Sequence, residues 1–344
     1  MTFALDATYS AGRNLSGVGV YCGRLLAGLA VAHPEANFLW CYRAHRLRLG
    51  LRQARPRNAK PRLLLDGWQP FRADLFHGLN QRMPASRFRR TVCTFHDLFV
   101  MTSEYSSPEF RARFTAQARE AAARADLLIC VSEFTASQVE SLLGVERGRL
   151  RVVHHGTTMG PLPGPEERQP LILHVGAIQV RKNLARLIGA FEEAAPPPWR
   201  LVLAGSDGYG AEQIRARIEA SPARERIETP GWVAPEALEA LYRRASVFAF
   251  PSLDEGFGIP VLEAMAHGVP VISSNRPALA EACGKAAVLV DPLDQESLAD
   301  GLRRLVSNPS LREHLMAGGW HHAAQFSWER AVESTWRVYR ELTG

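Results

Sequence analysis

The sequence predicts an α/β protein that contains two Rossmann-like, doubly wound domains. Short apolar runs alternate with stretches of helical periodicity from residue 3 to residue 290, and this alternation is typical of parallel sheets with helices on both faces. A segment rich in proline and glycine at residues 157–170 interrupts the alternation and indicates a linker. With 344 residues, the chain is long enough for two domains that each have a hydrophobic core.

Composition narrows the class of protein. Apolar residues make up 46% of the chain and charged residues 22%, as in soluble globular proteins. No apolar run approaches the ~20 residues that a membrane-spanning helix needs. Residues 1–10 lack a basic leader, so we expect a first strand there and no signal peptide. The five cysteines contain no C-x-x-C pair, which favours reduced thiols in the cytoplasm.

The net charge of +6 is spread unevenly, because the segment between Glu35 and Asp66 has no acidic residue. Its eight basic residues are Arg43, Arg46, Arg48, Arg52, Arg55, Arg57, Lys60 and Arg62. No aromatic residue lies between positions 46 and 62 and no nucleic-acid motif accompanies the block, so we expect no nucleic-acid partner. Two interpretations remain open: peripheral contact with an anionic membrane through residues 43–62, and an ordinary solvated face.

The first half of the chain predicts alternating strands and helices. Strands are expected at residues 3–7, 37–42, 63–66, 75–78, 91–95 and 127–131, and helices at residues 20–31 and 108–125. Ligands of a parallel sheet bind at the carboxyl ends of its strands, and His77, His96 and Ser132 lie at three such ends. We select His96 as the site residue, with Asp97 to orient its ring. The alternative is a structural histidine that a neighbouring carbonyl satisfies.

Gly17 and Gly19 precede the first predicted helix and superficially resemble a dinucleotide fingerprint. Two features count against an NAD site. The glycines begin nine residues beyond Thr8 instead of directly after the strand, and Arg43 occupies the place of the ribose-binding acid. A tight turn that caps the helix is therefore one interpretation of these glycines.

The second half predicts another doubly wound domain. Its strands are expected at residues 171–175, 200–204, 226–229, 246–250, 269–272 and 287–290. Arg181 and Lys182 follow the first of these strands and precede a helix. Two cations at the carboxyl end of a strand, next to a helix N-terminus, predict a clamp for an anion.

A glycine turn follows the strand at residues 246–250. Gly256 and Gly258 form the turn, Pro260 opens a helix and Gly268 closes it. The amides of such a turn and the positive end of the helix dipole suit a phosphate. Glu255 and Glu263 flank the turn, and because a carboxylate does not bind phosphate, we expect both to hold hydroxyls. A ligand with phosphate in the middle and hydroxyls at both ends is a nucleotide-sugar; two solvated carboxylates are the alternative.

Residues 255–271 read EGFGIPVLEAMAHGVPV and resemble the retaining glycosyltransferase family 4, whose signature is Glu-x7-Glu within EGFGxPxxEAMAxGxPV. Residues 131–156 are also similar to this family, with His155 where the family has asparagine. The resemblance implies a GT-B fold, in which two Rossmann-like domains face each other across a cleft. The expected parts are residues 1–160 on the acceptor side, residues 161–325 for the nucleotide-sugar, and a last helix at residues 326–344 that crosses back to the first domain.

The resemblance also implies roles for individual residues. Glu263 corresponds to the residue that holds the donor ribose, and Glu255 to the residue that holds hydroxyls of the transferred sugar. Lys182 matches the family lysine at the diphosphate; Ala177 stands where the family commonly has arginine, so Arg181 takes that role here. His96 resembles the histidine that reaches the donor sugar. The remaining donor-binding residues implied are Gly17, Gly19, Val233, Gly256, Phe257, Gly258 and Ile259.

The implied function is transfer of a hexose from a nucleotide-diphosphate-sugar to a lipid-linked or polysaccharide acceptor. Arg181-Lys182-Asn183-Leu184 resembles the bacterial O-antigen mannosyltransferase branch, which implies a GDP-mannose-like donor and cell-surface glycan synthesis at the inner face of the membrane. No Asp-x-Asp triplet occurs, so we expect neither a metal nor a cofactor. The alternatives are a UDP-sugar transferase of the glucose or GlcNAc type, a nucleotide-sugar epimerase, a non-catalytic nucleotide-sugar-binding module and a glycoside hydrolase.

Overall fold

The computed structural model describes residues 1–12, 14–162, 164 and 168–344. Its chain divides into two compact units, one of Met1–Gly156 with Ser327–Gly344 and the other of Thr157–Phe326. Four residues of the predicted linker at 157–170, namely residue 163 and residues 165–167, lie outside the described residues. Among the described residues, no helix is both long enough and apolar enough to span a bilayer.

The first unit contains a seven-stranded parallel sheet. Its strands are β1 (Thr2–Asp6), β2 (Asn37–Arg43), β3 (Ala59–Leu64), β4 (Leu75–Gly78), β5 (Thr91–Phe95), β6 (Leu127–Cys130) and β7 (Leu150–Val152). The spatial order β3-β2-β1-β4-β5-β6-β7 reverses direction between β1 and β4. This is the doubly wound arrangement that the alternating pattern predicts, and in such sheets ligands generally bind near the reversal point.

Helices cover both faces of this sheet and bury two separate apolar clusters. They are α1 (Gly17–Ala32), α2 (Ala44–Leu51), α3 (Phe99–Thr102), α4 (Pro108–Arg124) and α5 (Glu133–Leu143). Ser107 caps α4 by accepting a hydrogen bond from the amide of Phe110. Ser132 caps α5 in the same way by accepting from the amide of Thr135 at 2.9 Å. Ser132 therefore ends its strand as a helix cap.

The predicted strand at residues 63–66 is wrong in its bounds, because pairing with β2 runs from Ala59 to Leu64. The basic block is also not uniformly exposed. Arg43 is buried at the end of β2, and its Nη1 donates to Asp66 Oδ1 at 2.8 Å. Lys60 keeps an exposed side chain on β3, which is one of the two edge strands of the sheet. Charged residues are typical of such edges because their heads reach water.

The second unit contains a six-stranded parallel sheet in the order β10-β9-β8-β11-β12-β13. The strands are β8 (Gln169–Val175), β9 (Arg200–Ala204), β10 (Ile227–Gly231), β11 (Ala245–Phe250), β12 (Val271–Ser274) and β13 (Ala287–Val290). Around it lie α6 (Leu184–Ala194), α7 (Ala211–Glu219), α8 (Pro235–Arg244), α9 (Ile259–Ala266), α10 (Pro277–Cys283), α11 (Gln295–Ser307) and α12 (Pro309–Ala323). β12 begins two residues later than the predicted strand at 269–272, because the amide of Val269 still bonds the carbonyl of Ala264 at the end of α9.

The last helix, α13 (Trp328–Thr343), belongs to the first unit. Tyr339 is fully buried and stacks on Phe3 of β1 with ring centroids 5.4 Å apart. The start of this helix packs directly against Gly156. Any Cβ atom at position 156 would overlap the backbone of Trp328. The apolar face of α13 thus completes the core beneath β1.

Candidate active site

Two loops meet at the carboxyl ends of β8 and β11. After β8, a 3-10 turn at Val180–Lys182 leads into Asn183, whose φ of +60° is a left-handed conformation that asparagine tolerates better than most residues. The side-chain amide of Asn183 donates to the carbonyls of Pro251 at 3.2 Å and Pro292 at 2.7 Å. The amide of Leu253 donates to the carbonyl of Arg181 at 2.9 Å. These bonds hold the basic turn against the loop that follows β11.

The predicted glycine turn and helix are present. Gly258 has a φ of +120°, which favours glycine, and a Cβ atom there would lie 2.7 Å from Leu279 Cδ2, so that leucine would also have to shift. Pro260 lies in the first turn of α9, and Gly268, just past the helix, has a φ of +64°. The predicted start and stop of this helix are therefore confirmed. Gly256, Phe257 and Ile259 lie at the N-terminal end of α9, where amides and the helix dipole favour an anion.

Arg181, Lys182 and Glu255 form one ion cluster. Arg181 Nη1 lies 2.8 Å from Glu255 Oε2, and Lys182 Nζ lies 2.5 Å from Glu255 Oε1. All three side chains are about nine-tenths buried. Lys182 Nζ also lies 4.5 Å from the ring centroid of Phe250, and Arg181 donates to the carbonyl of Asp254. From the sequence, Glu255 is expected to hold hydroxyls and the two cations to hold an anion. In the structure, the carboxylate and the two cations are paired with each other.

The two cations control the charge state of Glu255. Burial alone would raise the pKa of its carboxyl group, but Arg181 and Lys182 outweigh burial and lower the pKa to about 2. The cluster therefore carries two positive charges and one negative charge near neutral pH. This positive excess suits an anionic ligand at the carboxyl ends of β8 and β11.

Glu263 lies in the second turn of α9 and is half-buried. Its Oε2 accepts a hydrogen bond at 3.1 Å from the hydroxyl of Tyr242, which is on α8. Burial, followed by the charge of Glu263, raises the pKa of Tyr242 well above its usual value, so the hydroxyl stays a donor. Tyr242 is not identifiable as a site residue from the sequence, because its helical spacing gives the same signal as that of a core residue. Val233 is half-buried in the loop between β10 and α8.

The other predicted site residues belong to the first unit. Gly17 and Gly19 form the first turn of α1, so the helix starts three residues earlier than predicted. A Cβ atom at Gly19 would lie 2.9 Å from the carbonyl oxygen of Tyr9, which explains the glycine by close packing.

His96 is buried, and its Nε2 donates to the carbonyl of Leu79 at 2.9 Å. Burial lowers its pKa to about 4 despite this bond, so the ring is neutral near pH 7 and Nδ1 is an acceptor. The ring packs edge-on against Tyr21 and lies parallel to His155, with centroids 4.7 and 5.4 Å away.

His77 lies in the sheet interior between two hydroxyl groups. Its Nδ1 is 2.6 Å from the Tyr339 hydroxyl and its Nε2 is 2.8 Å from Thr94 Oγ1. Burial lowers the pKa of His77 to about 3. His77, which lies at a predicted strand end, is therefore part of a structural chain of hydrogen bonds.

No group of three or more His, Cys, Asp and Glu side chains within residues 1–12, 14–162, 164 and 168–344 is arranged to hold a metal ion.

Two parallel α/β sheets, of seven and six strands, are the architecture of the GT-B fold. The structure is similar to sucrose-phosphate synthase from Thermosynechococcus elongatus, with a TM-score of 0.81 over 100% of this chain and 99% of that chain at 20% identity. It is also similar to Anabaena HepE (Alr3699) in complex with UDP and glucose, with a TM-score of 0.72 over 99% of both chains at 16% identity. These likenesses confirm the predicted GT-B fold.

The chain belongs to glycosyltransferase family 4. The pattern described as Glycosyltransferase Family 4 matches residues 16–159, and the one described as Glycosyl transferases group 1 matches residues 163–319. The chain is 31% identical to O-antigen chain mannosyltransferase B of Escherichia coli over 285 residues, 78% of this chain and 74% of the relative. It is 30% identical to D-inositol 3-phosphate glycosyltransferase of a Nocardioides species over 267 residues, 69% of this chain and 58% of the relative. The protein is thus an enzyme that transfers a sugar from a nucleotide-sugar.

The ion cluster predicts a specific loss of stability in acid. Because the folded-state pKa of Glu255, about 2, lies below its ordinary 4.5, the unfolded chain binds the proton more readily between these values. The stability that Glu255 contributes is therefore complete above about pH 4.5 and is lost as the pH falls toward 2. We expect Glu255→Gln to be less stable than wild type at pH 7 and to lose less stability over this range, as measured by melting temperature against pH. Glu239→Gln, at an exposed position on α8, is the control; equal acid slopes for wild type and Glu255→Gln would contradict the assignment.

Proposed function

We propose that this enzyme transfers mannose from a GDP-mannose-type donor to a lipid-linked or polysaccharide acceptor in cell-surface glycan synthesis. The observation that carries the nucleotide-sugar site is the cluster of Arg181 and Lys182 beside the N-terminus of α9, at the carboxyl ends of β8 and β11. The choice of mannose is supported by the similarity to the E. coli O-antigen chain mannosyltransferase B. The choice of acceptor rests on the same relative.

In this proposal, charge develops on the diphosphate as the bond between the sugar and the β-phosphate oxygen breaks. Arg181, Lys182 and the amides of residues 256–258 stabilise the leaving diphosphate, and groups placed where charge develops contribute most to the transition state. Since these groups supply the countercharge, the reaction proposed here needs no metal. When the diphosphate binds, it replaces Glu255 as the partner of the two cations in some of their contacts. Glu255 then turns to hydroxyls of the transferred sugar.

The remaining residues position the two ends of the donor. Glu263, held by Tyr242, accepts hydrogen bonds from the ribose hydroxyls, and the backbone near Val233 contacts the base. His96 is proposed to accept a hydrogen bond from the donor sugar through Nδ1, because its Nε2 is already used on Leu79. Gly17 brings the exposed start of α1 close to the donor or acceptor without a side chain, and Gly19 supports this turn by its close packing against Tyr9.

A UDP-sugar is the second candidate donor. Its support is the likeness in fold to Anabaena HepE, whose structure contains UDP and glucose. Both candidates share the diphosphate, so the ion cluster serves either of them equally. They differ in the base and the sugar, and backbone recognition of the base leaves no side-chain pattern that separates guanine from uracil.

A panel of nucleotides separates the two donors. We expect GDP and GDP-mannose to raise the melting temperature without added metal, since a ligand at about 100 times its Kd stabilises the native state by about 2.7 kcal/mol. The panel includes UDP, UDP-glucose, ADP and ADP-glucose as competitors. A shift with the uridine compounds alone would keep the enzyme class and replace the donor. No shift with any member of the panel would overturn the assignment of the second unit's site.

Removal of the Lys182 ammonium tests the diphosphate role. We expect Lys182→Ala to reduce kcat by about 100- to 1,000-fold, the usual loss when one preorganised group at a developing charge is removed. Release of the nucleoside diphosphate from the donor identified by the panel measures this rate. Lys285→Ala, at an exposed lysine of the same unit, should retain wild-type turnover. Near-normal turnover of Lys182→Ala with an intact fold would refute the role.

We also propose that α2 contacts an anionic membrane and so brings the enzyme to a lipid-linked acceptor at the inner face. The helix exposes Leu49 and Leu51 next to the exposed basic residues Arg48 and Arg52. Apolar side chains beside cations are the pattern of an interfacial segment, in which the leucines enter the acyl boundary and the cations meet lipid phosphates. Because Arg43 is buried and paired, it is not part of this surface.

Vesicle binding measures the membrane contact. Each basic residue near an anionic surface contributes about 1 kcal/mol, so Arg48→Gln/Arg52→Gln should weaken binding to phosphatidylglycerol-containing vesicles about thirtyfold. Sedimentation with vesicles gives the affinity, and pure phosphatidylcholine vesicles should bind little of either protein. Arg303→Gln/Arg304→Gln on α11 removes the same charge elsewhere and should bind like wild type. Equal loss in both double variants would contradict a specific role for α2.

A further inference from the structure

His174 is a fully buried imidazole directly beneath the ion cluster. It lies in β8, next to the end of the strand, and its ring is stacked on Phe250 of β11 with centroids 5.4 Å apart and planes inclined by 16°. Phe250 is the same ring over which Lys182 Nζ lies. His174 and Lys182 thus contact one aromatic side chain, although no motif in the sequence marks this histidine.

The hydrogen bonds of His174 define its tautomer. Its Nδ1 lies 3.0 Å from the carbonyl of Ala249. Because a carbonyl only accepts, Nδ1 carries the proton. Burial, followed by the charge of Lys182, lowers the pKa of His174 to about 3. The ring is therefore neutral, and Nε2 presents a lone pair.

This lone pair is buried beside the ammonium of Lys182. Within the described part of the chain, Nε2 of His174 has no hydrogen-bond partner. A Cβ atom on Gly176 would lie 3.3 Å from His174 Nε2, 3.2 Å from Lys182 Cε and 3.6 Å from Lys182 Nζ. The acceptor and the ammonium therefore border the same small space, which glycine at position 176 keeps open. Burial of an acceptor without a hydrogen-bond partner costs free energy of folding, so the presence of a histidine at this position needs an explanation.

The geometry points to His174 as a positioning residue, whose Nε2 accepts a hydrogen bond from the Lys182 ammonium and keeps that ammonium directed at the donor diphosphate. An ammonium has three donors and no acceptor. One donor reaches Glu255 in the structure, and donor binding redirects Glu255 toward sugar hydroxyls in the function proposed above, on which this inference rests. The imidazole then supplies the contact that holds Lys182 in place while the leaving diphosphate gains charge.

Two substitutions separate this role from simple packing. His174→Phe keeps a ring against Phe250 and removes the acceptor, whereas His174→Gln keeps an acceptor at about the position of Nε2. Ile172→Val, in the same strand and also buried, is a packing control. We expect His174→Phe to reduce kcat by about 10- to 100-fold with a small change in KM, because a hydrogen bond to a charged group is lost. His174→Gln should recover most of that loss, and Ile172→Val should match wild type.

A double variant with Lys182→Ala tests the coupling. If His174 acts through Lys182, His174→Phe should lower the turnover of Lys182→Ala less than about twofold. Turnover is measured as GDP release from GDP-mannose and UDP release from UDP-glucose. The inference is overturned if His174→Phe behaves like Ile172→Val, if glutamine fails to restore turnover, or if the loss is equally large without Lys182. The proposed function itself fails in a different way, with Lys182→Ala alone retaining normal turnover.

The wild-type protein provides a test that no folding defect can obscure. In protein labelled with ¹⁵N-histidine, we expect His174 to show a protonated Nδ1 and an unprotonated Nε2. Addition of GDP-mannose or UDP-glucose should shift the Nε2 resonance as Lys182 bonds to it, and the same addition to Lys182→Ala should not. A protonated Nε2, or an Nε2 resonance that both nucleotide-sugars leave unchanged in wild type, would overturn the inference.

Discussion

The site of the second unit depends on one carboxylate held between two cations at the edge of a parallel sheet. Glu255 lies within 2.8 Å of both Arg181 and Lys182, and all three charges are largely removed from water. An isolated buried charge costs several kcal/mol, so each member of the cluster requires the others. Because the cations outnumber the carboxylate, the cluster retains a positive charge after its internal pairing. That excess favours an anion, such as the diphosphate of the donor in the function proposed above.

Backbone conformations that few residues adopt fix this cluster in space. Asn183 in a left-handed conformation ends the basic turn, and its side-chain amide ties the turn to the carbonyls of Pro251 and Pro292. Gly258 precedes α9 with a positive φ that favours glycine, and it packs closely against Leu279. The cations, the carboxylate and the helix N-terminus are consequently carried by segments that hydrogen bonds and close packing hold together. Such support for a site is a general requirement for preorganised charge stabilisation.

The first unit uses histidines in a different way. His77 and His96 are buried and neutral near pH 7, since burial lowers both pKa values to about 3 and 4. His77 links Tyr339 of α13 to Thr94 of β5, and the hydroxyl of Tyr21 lies 3.0 Å from the same threonine. Tyr21 in turn packs against His96. The last helix of the chain therefore supports the surroundings of His96 through a continuous series of contacts within one unit.

The sequence by itself determined the fold class, the family and the ends of several elements. Helix caps and turns depend on local backbone geometry, so Pro260 and Gly268 predict the two ends of α9. The strand at residues 287–290 likewise follows from a short apolar run. The whole frame at residues 255–271, which contains Glu255 and Glu263, likewise points to the family without any knowledge of their contacts. Only the tertiary structure decided which charges pair. Lys182 and Glu255 are 73 positions apart, and the register of β8 against β11 brings His174 beside Ala249 and Phe250. Long-range register and burial also place Arg43 against Asp66 and enclose His77, because neither property is encoded in the neighbouring residues of the chain.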